Sequence, residues 1–255
     1  MAAYVVTATN WATAVENKIH DDEVARRYGF GGGLVPGVTL YAYVTRPIVD
    51  TWGRAWLERG YADVRFVAPV YNGERVTATV EADRVELRNS EGTICVVGNA
   101  GLLDEHPDVP AVTDVPFPSS RPAADERTLA PGTDLSTVVH GFHAAKAEEY
   151  LSLVGDDLDL YRGPGAVAHP GWLLLDANDV LVQSVALGPW IHVGSRVRNV
   201  RSVADGQLVR TGARVTANFE RKGHRLLELD VVTTADGEPA SIVHHTAIWR
   251  VRLSG

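Results

Sequence analysis

Gly37 and Gly171 stand 134 residues apart, and each follows a short lead-in, Leu34-Val35-Pro36 before the first and Ala168-His169-Pro170 before the second. The turns Asn72-Gly73 and Asp205-Gly206 repeat at an offset of 133. Before each turn, basic residues alternate with apolar ones (Asp63-Val64-Arg65-Phe66-Val67; Arg196-Val197-Arg198-Asn199-Val200). After each comes a β-rich run (Arg75–Val80; Leu208–Ala213), then a further turn, Glu91-Gly92 or Asp236-Gly237, and a last apolar stretch. Matched landmarks at nearly one offset point to a duplicated unit. The second copy carries about a dozen extra residues around Arg221-Lys222-Gly223-His224. A chain of 255 residues is long enough for two such units, so each half must build the same architecture.

The seam is visible in the prolines. Pro107, Pro110, Pro116, Pro118, Pro122 and Pro131, six of the chain's thirteen, fall between Asp104 and Asp134. Proline removes ladder donors and fixes φ, so this stretch is expected to be a connector. The division is therefore a first repeat over 1–103, a linker over 104–134 and a second repeat over 135–255. Asp21 or Asp22 can cap a short helix that runs to about Tyr28 and stops at Gly29. From Gly37 to about Trp52, Val38, Leu40, Tyr41, Val44, Ile48 and Val49 recur at helical spacing. That helix is apolar nearly all round and should be buried, with Pro47 kinking it or ending it early. Strands are expected near 62–69, 74–88 and 93–103. In the second repeat a helix is expected near 171–185 and strands near 194–202, 207–221, 225–235 and 239–253. A long buried helix against an antiparallel sheet, twice over, is an α+β architecture.

The chemistry concentrates in Glu16-Asn17-Lys18-Ile19-His20-Asp21-Asp22, followed by Ala25, Gly29-Phe30 and Leu34-Val35-Pro36-Gly37. A carboxylate, an amide and an imidazole within five residues suit proton transfer on a small acyl substrate. The order resembles the MaoC-like enoyl-thioester hydratases of the hot-dog superfamily, whose motif runs Asp, any residue, Asn, Pro, any residue, His. Asn17 and His20 fall on its Asn and His positions. The family's Asp position is Val15, its Pro is Lys18, and Glu16 stands one residue later. The likeness covers about 10–103 well and the second repeat in outline. It implies a double hot dog, each sheet wrapping a central helix, with the fused chain supplying its own partner. It also implies reversible hydration of a 2-enoyl thioester to a 3-hydroxyacyl thioester, carried on CoA or a carrier protein, with no further cofactor. Glu16 and His20 would be the acid–base pair, Asn17 would orient the water or the imidazole, and the Gly37 N–H would hold the thioester oxygen. Val35, Tyr41, His169 and His192 are expected to line the substrate tunnel. Val15 leaves two alternatives open: other acid–base chemistry on the same fold (cyclisation, isomerisation, thioester hydrolysis), or an acyl-binding module without turnover.

Other classes fit less well. A net charge of −8 disfavours a nucleic-acid footprint and adsorption to anionic membranes. No stretch approaches the roughly 18 apolar residues of a membrane span. The glycine run Gly29–Gly33 lacks both phosphate-loop patterns and is expected to form a tight turn. His140 and His143 are three apart and His244 and His245 adjoin, but no zinc pattern is completed around them, so no metal is expected. No Gly-x-Ser-x-Gly elbow is present. The single cysteine, Cys95, and the lack of a secretory leader lead to the expectation of a cytoplasmic protein. A further homodimer of such chains is compatible with the pattern.

Overall fold

The computed structural model describes residues 2–252. Strands β1 (Ala2–Thr7), β2 (Gly60–Phe66), β3 (Arg75–Glu81), β4 (Arg84–Asn89) and β5 (Ile94–Leu102) belong to the first repeat. The second repeat supplies β6 (Asp134–Gly141), β7 (Ile191–Asn199), β8 (Leu208–Arg221), β9 (His224–Ala235) and β10 (Glu238–Arg250). All ten form one sheet in the order β1-β3-β4-β5-β2-β7-β10-β9-β8-β6. Each half thus has the same internal order, and the halves meet edge to edge where β2 pairs antiparallel with β7, from Tyr61 opposite Arg198 to Arg65 opposite Gly194.

Period-2 alternation sets which strand face is covered. Val76, Ala78 and Val80 of β3 are buried while their neighbours are less so. The covering element is α2 (Gly37–Trp52), buried from Val38 through Thr45. Its counterpart is α5 (Pro170–Ser184), which starts with proline at its first position and the His169 side chain accepting from Gly171 N. The two helices also pack on each other. A Cβ added at Gly171 would lie 2.8 Å from the Cβ of Ala42, so glycine sets their approach. Pro47 lies within α2 without ending it, and Gly53, at φ 61°, closes the helix.

Several expectations are revised. The run 74–88 is two strands, because Ala82 takes a left-handed φ of 53° and turns the chain between β3 and β4. Edge strands β1 and β6 and helices α3 (Arg54–Arg59) and α4 (Ala144–Val154) were not anticipated. Position 10–20 of the first repeat, which corresponds to α4, holds turns and one 3-10 turn, so the duplication gave no place for that helix. β10 ends at Arg250, and residue 253 of the expected strand lies outside the described residues. Among the described residues no helix is long and apolar enough to cross a membrane. The prolines of the linker keep it out of the sheet, and it crosses the surface with a bridge from Ala123 to Ala186.

Candidate active site

His20 closes a 3-10 turn, Lys18–His20, that Asn17 caps through its side-chain oxygen. Asp21 caps α1 (Asp22–Arg27) by accepting from Val24 N, which turns the chain sharply after the imidazole. The glycine run then folds back. A Cβ at Gly33 would stand 2.1 Å from the His20 carbonyl oxygen, so this approach requires glycine. The same carbonyl accepts from Asn10 Nδ2 at 2.8 Å.

The ring is fixed from both sides. His20 Nδ1 lies 2.7 Å from the Leu34 carbonyl oxygen, which can only accept, so Nδ1 carries the hydrogen. Nε2 is left as a lone pair, 3.4 Å from Asn17 Nδ2. Enclosure holds the imidazole below its ordinary pKa against the opposing pull of the Leu34 bond. It is therefore neutral at pH 7, with its basic nitrogen accepting a long bond from the Asn17 amide.

Asn17 reaches across the seam between the repeats. Its Nδ2 donates to the Trp190 carbonyl at 2.9 Å, and its Oδ1 accepts from Trp190 N at 3.2 Å. Beside them lies a cavity of about 210 Å³ with Asn17, His20, Val35, Gly37, Phe66 and His192 among its walls. Apolar walls come from both repeats. Asn178 on α5 also faces it, with its Oδ1 sealed from solvent and unpartnered among the described residues.

His192 is the second imidazole of the cavity. Its Nε2 lies 3.2 Å from the Gly194 carbonyl and 2.8 Å from Ser195 Oγ, so that nitrogen carries the hydrogen. Ser195 Oγ continues to His245 Nδ1 at 3.2 Å, and the two imidazoles stack with centroids 4.2 Å apart. Burial, then the neighbouring His245, pushes His192 far below the ordinary imidazole value. Burial takes His245 down to about 3. The remaining nitrogen, His192 Nδ1, has no partner among the described residues. It would come within 3.0 Å of a Cβ at Gly37, at the first turn of α2. The Gly37 and Val38 N–H groups of that turn have no intrahelical acceptor, whereas Thr39 N donates to the Pro36 carbonyl at 2.9 Å, and unpaired N–H groups at a helix start favour developing negative charge.

Solved structures place this architecture. The chain matches a protein from Chloroflexus aurantiacus described as a MaoC domain dehydratase at TM-score 0.66, with 13% identity over 98% of this chain and 93% of the other. It matches a Mycobacterium tuberculosis protein with a double hot-dog fold, essential for survival during infection, at TM-score 0.63 and 13% identity over 96% and 95% of the two chains. The chain is a double hot dog. A Novosphingobium aromaticivorans protein described as a thioesterase has the same fold at TM-score 0.55 and 13% identity, over 100% and 96%. No family sequence model and no curated protein sequence matches the chain.

Within this double hot dog the expected site residues separate. Asn17, His20, Val35, Gly37 and His192 share the cavity. Glu16 does not line it. Its carboxylate is exposed and bound to Arg121 at 2.9 and 3.1 Å, while Arg121 also donates to the Val182 carbonyl. Tyr41 is fully buried in the core, away from the cavity walls, because it sits on the face of α2 turned to the interior. His169 caps α5 and binds Asp156 at 3.2 Å on a different cavity. Asn178, Phe66 and the Ser195–His245 relay were missed. They lie 46 or more residues from His20, in stretches that carry no motif.

Proposed function

We propose that this protein is a hydratase or dehydratase of an acyl thioester, working with His20 as its proton carrier. The observation that carries the reading is the neutral His20, oriented by Leu34 and Asn17, on a cavity that Gly37 at the start of α2 also lines. In the hydration direction, a water in the cavity loses a proton to His20 Nε2 as its oxygen adds to the β-carbon. The π electrons move onto the thioester oxygen, which the Gly37 N–H stabilises. The imidazolium then returns the proton to the α-carbon, so one water is added and His20 ends as it began. Among the described residues no carboxylate lines the cavity, so the pair of the family motif is replaced here by two imidazoles. His192 Nδ1 holds the second lone pair, and its relay through Ser195 fixes its tautomer.

The carrier is supported by a groove of about 860 Å³ that shares Phe66, Val67, Val193 and Ile248 with the cavity. Arg65, Arg196, Arg221 and Lys222 line it, which suits the phosphates of CoA or of a carrier-protein arm. The reading takes the carrier as part of the substrate, with no resident cofactor or metal. It places the enzyme in the cytoplasm and allows further pairing into a homodimer.

The test is loss of the enoyl chromophore across short- to long-chain 2-enoyl-CoA thioesters, with wild type beside His20→Ala. Turnover is expected in wild type and a loss of about 10²- to 10⁴-fold in the variant. Release of free thiol instead would move the site to thioester hydrolysis, and a folded protein inert on every chain would overturn the reading.

A further inference from the structure

The second repeat contains a polar network where the first repeat has plain core. His140 Nε2 lies 2.9 and 3.0 Å from the two carboxylate oxygens of Asp176. Thr211 Oγ1 donates to Asp176 at 2.8 Å and lies 3.0 Å from Thr233 Oγ1. Strand register fixes the counterparts. Val209 lies opposite His140 as Val76 lies opposite Val6, and Thr211 opposite Thr233 as Ala78 opposite Leu87. Asp176, five residues past Gly171, matches Ala42, five past Gly37. Val6, Ala42, Ala78 and Leu87 thus hold the positions that His140, Asp176, Thr211 and Thr233 hold in the second repeat. A buried ion pair is no more stabilising than well-packed apolar residues, and the first repeat shows that the fold accepts the apolar set. Stability alone does not account for the network.

The network borders a cavity of about 340 Å³ between β6, α4 and α5, distinct in its lining from the one at His20. Phe142, Tyr150 and Trp172 give it aromatic walls. Trp172 stands edge-to-face with Phe142 and with His140, at 5.3 and 4.8 Å. Several polar groups on this cavity are uncommitted among the described residues, Tyr161 and Asp179 among them. Tyr161 is buried and its Oη has no partner among the described residues. Asp179, an exposed residue one α5 turn beyond Asp176, makes no ion pair among the described residues, Lys146 included. Partial loss of water around it, then the Asp176 charge, pushes its carboxyl up to about 6, against the pull of His140. On α5, Asp176 is matched by His140 of β6 and Asp179 is the carboxylate left over, beside aromatic faces that attract cations, with Lys146 and His143 on the α4 side.

We propose that this cavity is a second ligand site, which takes a small organic ammonium ion bearing another hydrogen-bonding group, the ammonium at Asp179 and Trp172 and the other group at Tyr161. The site needs nothing from His20 and is independent of the reading given above.

Calorimetric titration with tyramine, with phenethylamine, which lacks the hydroxyl, and with the anion 3-(4-hydroxyphenyl)propionate tests it. Tyramine is expected to bind best and the anion not to bind. Asp179→Asn should weaken tyramine about tenfold or more, and Tyr161→Phe should erase its advantage over phenethylamine. His20→Ala should change none of this. Affinity for tyramine should also fall as the pH drops through 6, where Asp179 gains its proton. Tight binding of the anion, equal binding by a folded Asp179→Asn protein, or no binding of either amine at millimolar concentration would overturn the proposal.

Discussion

In the proposed reaction His20 serves as the base because two neighbours divide its nitrogens: the Leu34 carbonyl fixes one hydrogen, and the Asn17 amide orients the lone pair of the other. Hydration kcat/KM should therefore be flat at and above pH 7 and fall in acid through an apparent pKa below 6.5. A profile that instead rises through pH 8 would count against a depressed imidazole. At Glu16 the expectation is the reverse of the motif's. Glu16→Gln removes an exposed pair with Arg121, so kcat/KM should stay within about twofold and stability should change by about 1 kcal/mol or less. The buried imidazoles also set acid stability. His192 and His245 are neutral in the fold but take up protons near pH 6.5 once unfolded. Their contribution is complete above that value and drains as the pH falls from 6.5 toward about 3. Thermal midpoints measured from pH 7 to pH 4 should fall steeply, and more gently in His245→Leu.

At the scale of elements, glycines decide how tightly the site is wrapped. Gly33→Ala must push the 29–33 turn off the His20 carbonyl, so it should cost about 1–3 kcal/mol in denaturant unfolding and lower kcat together with stability. The elements that could be read in the sequence carried a period or a stop. The apolar steps of α2 and the turns at Gly73, Gly206 and Gly237 are of this kind. The β3–β4 turn escaped because Ala82 adopts a left-handed φ with no glycine to announce it. Asn17, His20 and Gly37 were legible because one loop and one helix start hold them together. Trp190 and Asn178 were not, because tertiary packing alone brings them to His20. His140 was seen only as a lone histidine pair, since the carboxylate that completes its network lies 36 residues away on another element.

In the molecule as a whole, the seam carries both the joined sheet and the candidate site. Asn17 from one repeat holds the Trp190 backbone of the other, and Asp63 pairs with Arg198 at 3.1 Å across β2 and β7. A fragment of residues 1–103 would expose the β2 edge and the side of α2 that meets α5. In size-exclusion chromatography it should run as a self-associated species, not a folded monomer. A dimer of identical subunits cannot alter one half without altering the other, because a single codon is read into both. Linking the two halves in one reading frame lifts that constraint. Val6 and His140, or Ala42 and Asp176, hold matching positions under separate inheritance, so each half could drift toward its own use while the shared sheet kept both in register.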